Sequence, residues 1–337
     1  MLRLMLLSFI VITAGPAVSA AALNAAANAA PQSSANPAQM LETARSAAQH
    51  LNYTGVYIYQ RGNEVRSTRI THLHTASATQ EKLDNLDGQP SETVRKGDEL
   101  LTYLPRQRRL VIESRGHEPG FPGLLAINNE ALKQYYSARN FGSERVAGRP
   151  VVGLALDARD RFHYSYRFWT DQFTGLLLRA QTLNEQAEVV EQVAFTQLSL
   201  GTFPHEQVRP SITDTHGWQI DNAVTKNTDL SAWKLGWVPG GFQRVGSVMR
   251  VMREAGAGKS GNRREVAQIL YSDGLAGLSI FIEPWSPERS AIPLRLGALN
   301  MLGKRQGKFW LTIVGEVPMT AIRQVADSLE FDANSPR

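Results

Sequence analysis

QILYSDGLAGLSIFIE, residues Gln268 to Glu283, holds two apolar, β-prone runs around Ser272-Asp273-Gly274. Asp-Gly between such runs is a strong hairpin signal, because Gly takes φ > 0 at no steric cost and Asp tolerates the same region. In the second arm Leu278, Ile280 and Ile282 share one face, and Ser279, Phe281 and Glu283 the other. A hairpin alone is marginally stable, so its neighbours must complete a sheet and cover it. Strands are expected at Gln243–Met252, Glu265–Tyr271, Ala276–Glu283, Leu294–Met301 and Phe309–Val314. Pro318 to Leu329 reads as the covering helix, with Ile322, Val325, Ala326 and Leu329 on its buried face.

The whole chain of 337 residues exceeds what one core supports, so two domains are expected. Arg3, the apolar run Leu4 to Ala14 and Val18-Ser19-Ala20 form the layout of a cleavable signal peptide over 1–20. That run is shorter than the roughly 20 residues needed to span a bilayer, so the mature chain is read as exported and not itself membrane-spanning. Without cysteine there is no disulfide, thiolate metal site or acylated lipoprotein cysteine. Residues 21–35, rich in Ala, Asn, Ser and Gln, read as a disordered leader. A formal charge of +5 with scattered Lys and Arg suits a solvated surface, and attraction to anionic head groups is the sharper reading.

Asn36-Pro37 reads as an N-cap and first helical residue, followed by Met40, Leu41, Ala44, Ala47, Ala48 and Leu51 at helical spacing. From Tyr53 the period becomes two. Strands are expected at Tyr53–Tyr59, Val65–His74, Ala78–Leu83, Glu92–Lys96, Leu100–Pro105 and Arg109–Glu113, then a helix over Asn129–Ala138. Four more follow at Val151–Leu156, Phe162–Trp169, Leu176–Leu183 and Val189–Phe195. No βαβ alternation occurs, so the fold class is α+β with mainly antiparallel sheet. Periodicity fades between Leu198 and Asn227, which places a domain over 36–200, a linker over 201–227 and a second domain over 228–331.

Chemical motifs are scarce. Arg253 to Ser260, REAGAGKS, ends like a phosphate loop but lacks its first Gly and a following helix. His72 and His74 share a strand face without a third metal ligand. No G-x-S-x-G nucleophile signature occurs. Catalytic, metal and cofactor residues are therefore none, and nucleic acid is no expected partner. What remains is aromatic patterning. Phe162, Tyr164, Tyr166 and Phe168 alternate onto one face, Tyr57 and Tyr59 share another, and Tyr103 lies on a third strand. These rings either form a closed core under the first helix or line a cavity for acyl chains, for which Tyr57, Tyr59, Tyr103, Phe162, Tyr164 and Phe168 are the candidates.

Several stretches together resemble the RseB/MucB family: Trp237-Val238-Pro239-Gly240-Gly241-Phe242, Leu270-Tyr271-Ser272-Asp273-Gly274-Leu275, Thr312-Ile313-Val314-Gly315-Glu316-Val317-Pro318, and Leu86-Asp87-Gly88 followed by Glu92-Thr93-Val94-Arg95-Lys96-Gly97. The resemblance spans nearly the whole mature chain. It implies a large N-terminal domain similar to lipoprotein carriers, an open β-barrel wrapped around helices, and a smaller C-terminal α/β domain without catalytic activity. It further implies a periplasmic negative regulator of an envelope-stress sigma factor. Such a regulator binds the periplasmic part of a transmembrane anti-sigma factor, shields it from proteolysis, and is released by lipid or lipopolysaccharide. Candidate partner residues are Trp237, Phe242, Tyr271, Arg263 and Arg264, with further basic clusters at Arg106/Arg108/Arg109 and Lys304/Arg305/Lys308. A periplasmic lipid or lipoprotein carrier is the alternative, a hydrolase the third class, and homo-oligomerisation stays open.

Overall fold

The structure is a computed structural model that describes residues 36–76, 78–97, 99–114, 127–223, 225–253, 263–287, 289 and 293–332. The residues read as a signal peptide and a leader, and most of the phosphate-loop-like stretch, lie outside them. Helix α1 (Pro37–His50) begins as read: Asn36 accepts from the Ala38 N–H at 3.1 Å, with Pro37 in the first turn. The strands β1 (Tyr53–Arg61), β2 (Glu64–His74), β3 (Thr79–Asn85), β4 (Glu92–Lys96), β5 (Glu99–Leu104) and β6 (Arg109–Ser114) follow as a meander. After α2 (Asn129–Tyr135) comes a second one of β7 (Tyr136–Val146), β8 (Arg149–Ala158), β9 (Ser165–Asp171), β10 (Leu177–Leu183) and β11 (Val189–Leu200).

An antiparallel β1–β11 pair welds the two meanders into one sheet. Its spatial order is β12-β6-β5-β4-β3-β2-β1-β11-β10-β9-β8-β7, where β12 is Gln219–Ala223. The two ends do not pair, so the sheet stays open. One face is packed by α1. Its Met40, Leu41 and Ala44 meet Leu154, Leu156, Tyr166 and Phe168, while Ala47 and Ala48 meet Tyr53, Ile70, Trp169 and Phe195. Small alanines let the helix approach the sheet closely, and the larger residues fill the flanks.

The second sheet is built from β13 (Thr225–Asn227), β15 (Gln243–Arg253), β16 (Arg263–Ser272), β17 (Gly277–Pro284), β18 (Leu294–Leu296), β19 (Leu299–Gln306) and β20 (Phe309–Gly315). Its order is β13-β15-β16-β17-β20-β19-β18, antiparallel throughout. The opening hairpin is present with Ile269 opposite Ile280. Helix α3 (Met319–Ser328) covers it, and Ile322, Val325 and Ala326 are fully buried against Leu278, Ile280, Leu311 and Ile313. A short pair, β14 (Trp233–Leu235) with β21 (Leu329–Phe331), pins the end of this unit to its beginning.

Three elements differ from the sequence reading. Helix α2 stops at Tyr135 and gives way to β7, whose residues are mostly exposed; an edge strand with one wet face and many polar residues carries little periodic signal. The strand expected from Phe162 begins only at Ser165, because Asp160 Oδ1 accepts from the N–H groups of Phe162 and His163 (2.8 and 3.1 Å) and holds a turn there. The stretch over 201–227 contains a 3-10 turn at His205–Val208, and β12 runs parallel to β6 with Arg109 and Asp221 paired at 2.5 Å. Those contacts form at long range and leave no local pattern.

Ile280 is fully buried, so Ile280→Ala should cost about 2–5 kcal/mol in urea denaturation. Phe173, 77% exposed at the β9–β10 turn, should tolerate Phe173→Ala within about 0.5 kcal/mol.

Candidate functional site

The turns of the second sheet dock onto the first. Asp273 initiates the four-residue connection between β16 and β17. Its Oδ1 accepts from the Leu275 and Ala276 N–H groups at 2.8 and 2.7 Å, and the Tyr136 hydroxyl donates to its Oδ2 at 3.4 Å. Burial pushes the Asp273 carboxyl above its ordinary range, opposed by those two N–H groups and by His163. Leu275 is thereby inserted among Leu132, Tyr136, Tyr166 and Phe168 of the first sheet's core.

Four further contacts join the sheets. Asn300, fully buried on β19, donates to the Tyr164 hydroxyl at 2.7 Å and to the Val317 carbonyl at 2.8 Å. The His163 ring bridges Asp160 Oδ1 (2.8 Å) and the Gly240 carbonyl (2.9 Å). Gly240 is required there, since a Cβ would run into the Tyr135 ring. The β18–β19 turn presses Gly297 (φ +58°) against Arg61, and Thr320 Oγ1 donates to the Arg161 carbonyl at 2.8 Å.

Between these contacts lies a cavity of about 610 Å³ whose walls come from both sheets. Tyr57, Tyr59, Tyr166 and Phe168 supply aromatic surface from the first, and Leu275, Leu296 and Ala298 apolar surface from the second. Its charged end holds Arg61 and Glu191, paired at 3.2 Å, together with Glu316. Burial first, then the nearby Glu191, pushes the Glu316 carboxyl up to about 7, with Arg61 opposing. Burial likewise raises the Tyr164 hydroxyl to about 12, opposed by the bond from Asn300.

The six candidate lining residues therefore separate. Tyr57, Tyr59 and Phe168 line this cavity. Tyr164 is buried beside it and engaged by Asn300, and Phe162 packs on Trp237 with ring centroids 4.8 Å apart. Tyr103 belongs to a distant cluster with Val94 and Leu110. Of the candidate partner residues, Trp237 and Tyr271 are half-buried against the core of the second sheet, and Phe242 is buried in it. Arg263 and Arg264 lie on β16 opposite Arg253 and Met252; their side chains fall outside the described residues. His72 and His74 hold Leu51 O and Thr79 Oγ1 through Nδ1, and no group of three metal-ligating side chains exists among the described residues. Arg61, Glu191 and Glu316 were not singled out by sequence, although Glu316 sits inside one of the motifs quoted above.

Sequence profiles of the MucB/RseB N-terminal and C-terminal domains match residues 36–215 and 227–330. The chain belongs to the MucB/RseB family. It is 28% identical over 288 residues to the sigma factor AlgU regulatory protein MucB of Pseudomonas aeruginosa, covering 84% of this chain and 87% of that one. It is 26% identical over 310 residues to the sigma-E factor regulatory protein RseB of Escherichia coli K12, covering 89% and 93%. Among solved structures, the complex of Pseudomonas aeruginosa MucA and MucB matches with a TM-score of 0.67 at 27% identity, covering 88% of this chain and 99% of that one. The two sequence relatives are named as regulatory proteins. In this chain the three C-terminal motifs quoted above meet at the junction: Gly240 under Tyr135, Asp273 on Tyr136, and Glu316 in the cavity wall. No helix among the described residues is long and apolar enough to cross a membrane.

Asn300→Ala would leave the Tyr164 hydroxyl and the Val317 carbonyl without their donor. A loss of about 1–3 kcal/mol in chemical denaturation is expected. Glu316 gives a pH signature. A carboxyl raised in the folded state keeps a proton that the unfolded chain releases above its ordinary 4.5, so its contribution to stability is lost as pH rises from 4.5 to about 7. The loss amounts to roughly 3 kcal/mol over that window. Glu316→Gln, which mimics the protonated acid, should flatten that part of the urea-denaturation profile between pH 5 and pH 8.

Proposed function

We propose that this protein is a periplasmic regulator that binds the periplasmic part of a transmembrane anti-sigma factor and shields it from proteolysis, so that the envelope-stress sigma factor stays sequestered. The observation that carries this reading is the likeness, at 28% identity and a TM-score of 0.67 over 88% of the chain, to MucB solved in complex with MucA(peri). Export by the N-terminal signal peptide would put the protein in the compartment where such a segment is exposed. The reading needs no catalysis: occupying the partner's surface is enough to exclude a protease.

Release would follow when the acyl chains of a lipid or lipopolysaccharide enter the cavity at the junction. A ligand displaces a partner only if it binds the partner-free state more tightly. Tenfold loss of partner affinity needs about 1.4 kcal/mol of coupling, and the ligand then binds the complex tenfold more weakly in return. Each buried CH₂ contributes about 0.8 kcal/mol, so two more methylenes held in the free protein than in the complex would supply that coupling. The aromatic cavity also supports a second reading, a periplasmic lipid or lipoprotein carrier, in which the same chain binding has no partner to release.

The test is a protease-protection assay on the periplasmic segment of the anti-sigma factor that co-purifies with this protein from solubilised envelopes. Added protein should slow cleavage at least about tenfold, and a lauroyl or lipopolysaccharide ligand should restore it. Recovery of bound lipid without any transmembrane anti-sigma partner would favour the carrier and overturn the regulator.

A further inference from the structure

The basic cluster Lys304/Arg305/Lys308 has no part in the cavity and lies at the far end of the second sheet. Strand β20 runs from Phe309, beside the β19–β20 turn, to Gly315, next to Glu316 in the cavity wall. At about 3.3 Å per residue, that turn is roughly 20 Å from the junction. Trp285, which follows β17, is fastened to the turn, its N–H donating to the Lys308 carbonyl at 2.9 Å. The Arg305 guanidinium rests on the Trp285 ring, 3.7 Å from its centroid, and its Nε donates to the Gly307 carbonyl at 3.1 Å. Neighbouring Lys304, Lys234 and Arg289 are paired with Asp327, Asp332 and Glu283 at 3.4, 2.6 and 2.6 Å, and Glu330 stands opposite Lys234. Among the described residues no ion pair engages Arg305 or Lys308, and no hydrogen bond engages the terminal nitrogens of Arg305. Both residues are exposed. So are Trp285 (37%) and Phe331 (38%), the second of which packs on Trp233 and Phe309.

We propose that this end of the second sheet is a docking surface for an anionic phospholipid bilayer. Two features together favour a bilayer over an acidic protein segment. A guanidinium stacked on a ring and held through one nitrogen keeps a preset fork of N–H donors for a phosphate. A partly exposed Trp beside unpaired cations suits the headgroup boundary, where the ring finds an interface and the cations find anionic lipid. Arg305 and Lys308 each meet a lipid phosphate while Trp285 enters the headgroup layer. The attachment is weak and reversible, since each cation near the surface contributes only about fivefold in affinity. It orients the protein rather than anchoring it, and it leaves the cavity a strand's length from the lipid. That a bilayer lies within reach rests on the reading that the partner crosses the membrane; the surface itself is argued from these side chains.

The experiment uses the mature full chain without partner and sucrose-loaded vesicles of phosphatidylcholine, alone or mixed equally with phosphatidylglycerol. Sedimentation should show the mixed vesicles binding at least about tenfold more tightly at low salt, with the difference shrinking as salt screens it. Arg305→Gln and Lys308→Gln should each weaken that binding about fivefold, and the double variant about twenty-five-fold. Arg106→Gln, which removes an exposed cation from the first sheet, should leave it within about twofold. Tryptophan emission should shift to the blue when mixed vesicles are added. Trp285→Phe, which keeps a ring under Arg305, should abolish the shift. Urea denaturation of each variant confirms that these exposed positions leave the fold intact. Equal binding to both vesicle types, an equal loss in Arg106→Gln, full binding by the double variant, or a blue shift that survives Trp285→Phe overturns the inference. Tighter binding of polyglutamate than of mixed vesicles also overturns it, and makes the site one for acidic protein. None of these results bears on the regulator reading, which the protease-protection assay tests separately.

Discussion

Asp273 lies buried where the two sheets meet, its carboxyl receiving the Leu275 and Ala276 N–H groups and the Tyr136 hydroxyl. A buried carboxyl with too few donors is expensive, and the turn's own N–H groups offset part of that cost while burial still pushes the Asp273 carboxyl up. The turn consequently arrives at the junction already rigid, and it carries Leu275 as a preformed plug into the core under α1. The hairpin that organises the second sheet thus also attaches that sheet to the first. Asn300 and His163 repeat the arrangement on either side, each satisfying groups from both sheets at once. Sliding one sheet over the other would strand these donors and acceptors, so the junction has few intermediate positions. Such an interface behaves as made or unmade rather than as a gradual hinge.

Polar contacts fix the geometry of the junction, but they do not fill it. The cavity remains because the first sheet curves around α1 and α2 while the second presents turns, which touch at points. Its walls divide by origin: rings from β1 and β9 on one side, Leu275, Leu296, Ala298 and Glu316 on the other. Any occupant must therefore touch both sheets, and its binding free energy includes whatever the junction gains or loses. Arg61 shows how closely the two are linked. It pairs with Glu191, covers Tyr59, and bears the Gly297 turn against its side-chain stem.

Local chemistry was legible in the sequence, and long-range assembly was not. The Asp-Gly hairpin, the Asn36-Pro37 helix start and the apolar face of α3 each depend on residues a few positions apart, and each formed as read. Strand β12 depends on the distant β6 edge, and β7 on a partner for its polar residues, so neither showed a period of two. The aromatic alternation from Phe162 to Phe168 was correct only from Tyr164 onward. Asp160 turns the chain before that point and sends Phe162 to Trp237 instead. Arg61 and Glu191, 130 residues apart, meet as cross-strand neighbours of β1 and β11, and Glu316 reaches them only through docking of the second sheet. No spacing rule could have grouped them. The motif around Glu316 pointed to the right place without stating its role.

Glu316 also shows why a junction cavity suits a regulator better than a closed core would. A carboxyl held at about 7 beside Glu191 makes the unoccupied junction a little worse as the proton leaves. Filling the core with apolar side chains would be more stable and would respond to nothing, since a buried ion or acid group is seldom the most stabilising choice. Retaining it leaves the junction a few kcal/mol short of its best, the range in which a small ligand's binding energy can decide between two states. An occupant of the cavity would add packing at a place where both sheets contribute surface, without distorting a sheet or breaking a core.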